Sequence, residues 1–396
     1  MAGDLDGDGD ADLAVASYMD EAVSVLVNRR DGRFRPRRDF SVVGEPVSVA
    51  QPLSVAIGDL DADGGPDLVT ANSVSLPAGS VSVLMNNGDG SFARAVVYTV
   101  GRAPGTLAVR DLDDDGQPDV AVADMDDDTV AILRNKGDGT LLAARTYRVG
   151  RFPDWVAVGE LDGDGRADVA VANRESGTVS VLVGRGDGTF RPRRDYAVGG
   201  GAYSVEIADL NGDGNLDLAS ASSEDEAVSV LLNSGDGTFR TRRRFQTGTP
   251  SDSLVIGDLN ADDRPDIAAA NPSAGTISVL VNRGDAVFEP KLDYATRGEP
   301  NFLAIADLSG DGRSDLVVTK EPADRVAVFV NKPGLCTVQD VRGMPLATAR
   351  RTTAQAGCRV RVLRRVHSNG VPSGRVVSQE PRAGTLLAGG RRGRRP

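Results

Sequence analysis

Histidine and cysteine are almost absent from this chain: 396 residues hold one His, His367, and two Cys, Cys336 and Cys358. A structural zinc cluster, a thioredoxin-type C-x-x-C pair and histidine-dependent chemistry before residue 367 are thereby excluded. Aromatic residues make up only 4%, and no apolar run approaches the length of a membrane span. The first ten residues carry Asp4, Asp6, Asp8 and Asp10 without an apolar segment, so they do not read as a secretory signal. A net charge of −12 disfavours nucleic acid or an anionic membrane as partner and leaves cations as the natural counterpart. Glycine, by contrast, is plentiful at 47 residues, so turns must be frequent.

Charge is divided unevenly. Residues 334–396 hold thirteen Arg and no Lys against only Asp340 and Glu380, a net +11, whereas the preceding part carries −23. Lys332-Pro333-Gly334 supplies chain breakers at this shift, which marks a domain boundary near residue 333.

One segment recurs seven times: an acidic residue, an aliphatic, then x-x-Asp-x-x-x-Asp and another aliphatic. The copies start at Asp4, Asp59, Asp111, Glu160, Asp209, Asp258 and Asp307, at spacings of 55, 52, 49, 49, 49 and 49. The two longer units contain insertions at Glu45 to Pro52 and Asn72 to Gly79. Within each unit the apolar residues alternate, as in Val228-Ser229-Val230-Leu231, which predicts short strands. A second turn, Asn-x-Gly-Asp-Gly-x-Phe at Asn86 to Phe92 and Asn233 to Phe239, follows the third strand, with variants at Asn28, Asn135, Gly184 and Asn282. Four strands and no helix per unit, repeated seven times, predict an all-β, seven-bladed β-propeller of four-stranded blades over residues 1–333.

The acidic segments place oxygen donors at positions 1, 3, 5 and 9. Hard cations take about six to eight oxygens, and alternating side chains in a tight loop can turn inward together. Four carboxylates occupy these positions in the first four loops: Asp4, Asp6, Asp8, Asp12; Asp59, Asp61, Asp63, Asp67; Asp111, Asp113, Asp115, Asp119; and Glu160, Asp162, Asp164, Asp168. The last three each carry one neutral donor: Asp209, Asn211, Asp213, Asp217; Asp258, Asn260, Asp262, Asp266; and Asp307, Ser309, Asp311, Asp315. These positions hold 25 of the 57 acidic side chains, and seven divalent ions would take the propeller from −23 to −9. Calcium is favoured over magnesium, which prefers to keep its waters. The loop is not an EF-hand, since it closes onto a strand after nine residues without a Glu at position 12. The plain alternative is a set of solvated acidic turns.

Residues 1–333 resemble the FG-GAP or VCBS repeats of bacterial surface proteins and integrin alpha-chain propellers. That resemblance implies that position 7 supplies its backbone carbonyl to the cation: Asp10, Gly65, Gln117, Arg166, Asn215, Arg264 and Arg313. Position 6 is Gly in six loops and Asp263 in the sixth, which is expected to bind most weakly because a left-handed backbone costs energy there. Such propellers host unrelated activities, so the resemblance does not specify one.

The acidic loops and the Asn-x-Gly-Asp-Gly turns are expected at one end of the ring. The other end would present Phe152, Asp154, Trp155, Tyr203, Asn301 and Phe302, as a ligand patch or, with Trp155 and Phe302, as plugs between blades. Two Arg-Gly-Asp tripeptides, at Arg185 and Arg283, fall where the turn already requires Gly-Asp, which argues against receptor recognition. Arginines at 35, 37, 38, at 191, 193, 194 and at 240 and 242–244 sit on predicted outer strands, where charge blunts edge pairing.

From Cys336 onward a strand, a helix from Leu346 to its stop at Gly357, a strand near Val360 to Val366 and a Gly374-x-Val-x-x-Gln379-x-Pro381-x-x-Gly384 run follow. This resembles a PASTA domain, a small α+β module associated with peptidoglycan, over residues 334–390; where that family continues with a last apolar strand, residues 391–396 form a basic tail. In an extracellular module Cys336 and Cys358 would close a loop worth about 3 kcal/mol, the alternative being two buried thiols.

The functional expectation is a calcium-stabilised, monomeric scaffold outside the cell or in its envelope, bound to peptidoglycan, another envelope polymer or a surface protein. The competing class is a polysaccharide lyase or hydrolase, against which stands the absence from the propeller of His, Cys and any acid pair distinct from the loops. Only Met1-Ala2-Gly3 precede the first loop, and the third strand of the seventh unit runs straight into the tail. An upstream segment of about sixteen residues, following a secretory signal, is expected to complete both blades, by analogy with the four-stranded propeller unit.

Overall fold

The computed structural model describes residues 1–44, 49–73, 78–321, 325–331, 335–337, 344–345, 348 and 386–388. It divides into two compact units, Met1–Val330 and Asn331–Pro396.

The first unit is a seven-bladed propeller whose antiparallel sheets follow one another along the chain, each with its strands in sequence order. Six sheets have four strands. The seventh, Glu299–Ala306, Asp315–Glu321 and Arg325–Phe329, has three among the described residues. The opening strand of the first blade is Ala2–Gly3, paired with Asp12 and Leu13.

Second strands such as Asp168–Asn173 and Asp266–Asn271 are buried along their whole length. Both faces of each blade are covered by neighbours, so Ala and Val serve on either side, and polar residues inside the strands, such as Thr70 and Ser220, are small and buried with them. Each core cluster joins adjacent blades: Val69, Val81 and Val83 pack with Val120, Val122 and Leu133. The same packing closes the ring, where Leu13 of the first blade meets Leu308 and Val317 of the seventh.

The Phe that ends the second turn has a defined role. Phe92, Phe190, Phe239 and Phe288 each receive an aromatic from the preceding blade's outer strand, edge to face, as in Tyr147–Phe190 at 5.1 Å between centroids. Such pairs add about 0.5–1.5 kcal/mol beyond burial.

In the second unit Leu335–Thr337 pairs antiparallel with Leu386–Ala388. A final apolar strand is therefore present ahead of the arginines, where the sequence pattern pointed only to a basic tail. The expected helix over 346–357, Cys358, His367 and residues 391–396 lie outside the described residues.

Candidate metal centres

Every acidic loop connects the first strand of a blade to the second, which places all seven at one end of the ring. The position-9 aspartates, Asp12, Asp67, Asp119, Asp168, Asp217, Asp266 and Asp315, are at most 1% exposed. One oxygen of each accepts from the position-2 Leu N–H of its own loop, at 2.8–3.1 Å. In six blades the other accepts from the N–H that opens the second turn, at 2.7–2.8 Å. Burial outweighs these bonds and pushes Asp67, Asp119, Asp168, Asp217 and Asp266 up to about 6. A cation beside them would favour the ionised form.

The loop backbone is wrapped around its own carboxylates. In all seven loops position 5 accepts the N–H of position 7, at 2.7–3.1 Å. Position 1 accepts the N–H of position 6 in every loop but the fourth. There the longer Glu160 instead accepts from Asp162 and Gly163. Position 6 has positive φ throughout, and Asp263 adopts it at 65°. Position 4 does so as well, with Ala62 at 59°, Asp114 at 59° and Ala261 at 63°. This second left-handed residue went unread in the sequence, although Gly7, Gly163, Gly212 and Gly310 signal it in the other loops.

Acidic ligand atoms come within 4.8 Å of one another in four loops: Asp4, Asp6, Asp8; Asp59, Asp61, Asp67; Asp111, Asp113, Asp115; and Glu160, Asp162, Asp168. Among the described residues, no three acidic groups of the last three loops do so, and there position 3 is Asn211, Asn260 or Ser309. Asp6 Oδ1, Asp59 Oδ1, Asp113 Oδ1 and Ser309 Oγ are buried with no hydrogen-bond partner. Unpaired buried oxygens are costly unless a cation or water meets them, so these acidic clusters could hold a metal ion. Arginines compete at position 3: Arg35–Asp6 at 3.5 Å, Arg134–Asp113 at 3.2 Å and Arg191–Asp162 at 3.2 Å. Asp61 has no such ion pair among the described residues.

The remaining sequence candidates resolve differently. Asp187 of the first Arg-Gly-Asp accepts from the Thr189 N–H and hydroxyl, and Arg283 of the second pairs with Glu289 at 2.9 Å. Both tripeptides are thus engaged within their turns. Arg38 donates to the carbonyl of Gly90 in the next blade at 3.2 Å, so at least this outer arginine laces blades as well as blunting an edge. Trp155 packs on the core shared by the fourth and fifth blades, as a plug between neighbours would, but Trp155 and Phe302 also meet each other across the ring. They belong to the fourth and seventh, and stack on each other at 5.8 Å.

Comparison with known proteins agrees with this architecture. FG-GAP-like repeats match residues 4–70, 111–171, 160–220, 209–269 and 258–318, and a PASTA domain matches residues 337–392. No curated protein matches the chain. A similar solved structure is an Agrocybe aegerita lectin described as specifically recognising non-reducing terminal N-acetylglucosamine: TM-score 0.56, 23% identity, 83% of this chain and 84% of that one. Another is virginiamycin B lyase from Staphylococcus aureus: TM-score 0.56, 12% identity, 81% and 92% coverage. At these identities the likeness shows the propeller fold alone. With repeat matches over more than half its length, the chain belongs to the FG-GAP-like repeat family, and it carries a PASTA domain at its C-terminal end.

Proposed function

We propose that this protein is a calcium-stabilised binding scaffold of the cell exterior or envelope, with its PASTA domain associating with peptidoglycan or a related wall polymer. The observation that carries the metal part is the set of buried, unpartnered oxygens in loops one, two, three and seven. Calcium fits because each loop carries carboxylates at alternating positions, gathered within 4.8 Å in the first four, and Ca²⁺ accepts irregular oxygen shells more readily than Mg²⁺. In each loop positions 1, 3, 5 and 9 would hold the ion through side chains, and position 7 through its carbonyl. The ion would screen repulsion among the carboxylates and tie the first strand of a blade to its second. The PASTA match and the strongly basic tail support wall association, since a cationic module is attracted to anionic polymer.

A purified-wall and glycan binding array tests the scaffold reading, run with the intact chain and with residues 1–333 in millimolar calcium. Retention of the intact chain on wall material, lost with the tail, is the expected result. No retention of either, or turnover of a polysaccharide abolished by a substitution at the end of the ring away from the loops, would replace it with the enzymatic reading.

A further inference from the structure

At the end of the ring opposite the acidic loops, the first strands of six blades open into a cavity of about 150 Å³. The repeat sets its composition. Asp154, Tyr203, Asp252 and Asn301 occupy the same position in successive blades, just ahead of the layer that contributes Trp155 and Phe302. The two aromatic planes lie 23° apart, giving the cavity a broad apolar surface.

Its charges are unbalanced. Arg174 donates to the Tyr203 hydroxyl at 3.0 Å, reaches Asp154 at 3.4 Å, and lies over the rings of Phe152 and Tyr203. Asp252, half-buried on the far side of Tyr203 in the repeat, accepts no hydrogen bond from a described residue. Glu206, in the first strand of the fifth blade, lies beside the Trp155 side chain. Three carboxylates therefore gather around the stacked pair, and Arg174 is the one basic side chain that meets them among the described residues. Burial pushes Asp154 up to about 6 and Glu206 up to about 7, as expected where carboxylates lack enough positive partners.

We propose that this cavity binds a primary ammonium group on an apolar stem, such as a lysine side chain or a free alkylamine. The ammonium would pair with Asp252 and Asp154, and the methylenes would lie against Trp155 and Phe302. Aromatic faces attract cations, and the carboxylates supply charge-assisted hydrogen bonds. An anion is repelled. A neutral sugar could stack on the rings but would leave the Asp252 charge uncompensated in a half-buried site. The proposal gives the scaffold a ligand class and rests on that reading only for its biological use; it requires neither the metal loops nor the tail.

Trp155 is the sole tryptophan of the chain, so intrinsic emission reports directly on the cavity. The intact protein is titrated with n-pentylamine, with a short lysyl peptide, and with the neutral probes 1-pentanol and N-acetylglucosamine. A saturable emission change is expected with the amine and the peptide and with neither neutral probe. Tighter binding of the peptide would identify a protein lysine as the source, and equal binding a free amine. Asp252→Asn, whose carboxylate supports no hydrogen bond, should melt like the parent and weaken amine binding by about tenfold or more. No saturable response to either ammonium probe, a response to pentanol or sugar equal to that of the amine, or undiminished amine binding by Asp252→Asn would overturn the proposal. Should that variant misfold, the amine-against-pentanol comparison in the parent decides alone. Loss of wall binding with this response intact would sink only the scaffold reading.

Discussion

The side-chain amide of Asn28 in the first blade donates to the carbonyl of Leu308 in the seventh, 2.9 Å away and 280 residues apart in the chain. The same bond joins Asn86 to Leu5, Asn135 to Leu60, Asn233 to Leu161 and Asn282 to Leu210. Each of these leucines is held on its carbonyl by the next blade's Asn and on its N–H by the aspartate of its own loop. Acidic loop and blade contact are therefore one hydrogen-bonded unit. Asn28→Ala strands the carbonyls of Leu308 and Ala11 and should cost about 1–3 kcal/mol. Asn135→Ala, which breaks the corresponding bond inside the ring, is the comparator in thermal or urea unfolding. An Asn28→Ala protein as stable as the parent would show that this bond does not help to close the ring.

Removal of calcium should lower the melting temperature sharply. At millimolar calcium and a site constant of about 10⁻⁴ M, each occupied loop adds about 1.4 kcal/mol. The first four loops, which gather three acidic groups within 4.8 Å, should fill before the last three. Asp61→Ala should remove about one ion from the calorimetric stoichiometry, because no arginine competes for that carboxylate. Identical melting curves in calcium and in chelator would refute a structural role for the ion.

Asp263→Gly should stabilise the sixth blade. Asp263 holds φ at 65°, a backbone region that costs a side-chain-bearing residue about 1–2 kcal/mol and glycine almost nothing. Its N–H bond to Asp258, at 2.9 Å, needs only the backbone and survives the change. Unfolding without metal should show a gain of about 1 kcal/mol, and calcium titration a tighter weakest site. A loss of stability would mean that the Asp263 side chain makes a contribution larger than its backbone strain.

Asp124 should make the propeller less stable as pH rises. It is fully buried, Oδ1 has no partner, and Oδ2 meets the Thr129 hydroxyl at 3.2 Å. Burial pushes its carboxyl from the ordinary 3.8 up to about 7. The folded protein thus binds a proton that the unfolded chain releases, so stability is full below about 4, falls between about 4 and about 7, and levels off above. The second, fourth and sixth blades place Asn there: Asn173 donates to Ser180 at 2.9 Å and Asn271 to Ser278 at 2.8 Å, whereas the third blade has Ala131 in place of the serine. Asp124→Asn should remove this dependence and be the more stable protein at pH 8, by a margin on the order of 4 kcal/mol. Parallel pH–stability curves for parent and variant would contradict the assignment.

Much of this was legible locally. Loops with donors at alternating positions and alternating apolar strands are short-range signals repeated seven times, and glycine at position 6 recurs in six of the loops, so blade number and the placement of the acidic loops follow from self-comparison. The burial of position 9 was not legible, because an Asp that caps two backbone N–H groups looks the same in sequence as one that faces solvent. The Asn staples escaped for a similar reason: their amides reach a carbonyl in another repeat, and within one repeat Asn reads simply as a turn residue.

The chain by itself therefore determined the repeating unit, its strand order and the oxygen donors of its acidic loops, since all of these are set by residues within one repeat of about fifty. Only ring closure decided what lies across the axis. Trp155 and Phe302 come from the fourth and seventh blades, and nothing local brings them together. The same closure gathers Asp154, Asp252 and Arg174 at one mouth, where each carboxylate alone would be an ordinary surface charge. Asp124, too, becomes a liability only when neighbouring blades exclude water from it, because the cost of a buried charge depends on its surroundings rather than on its sequence neighbours.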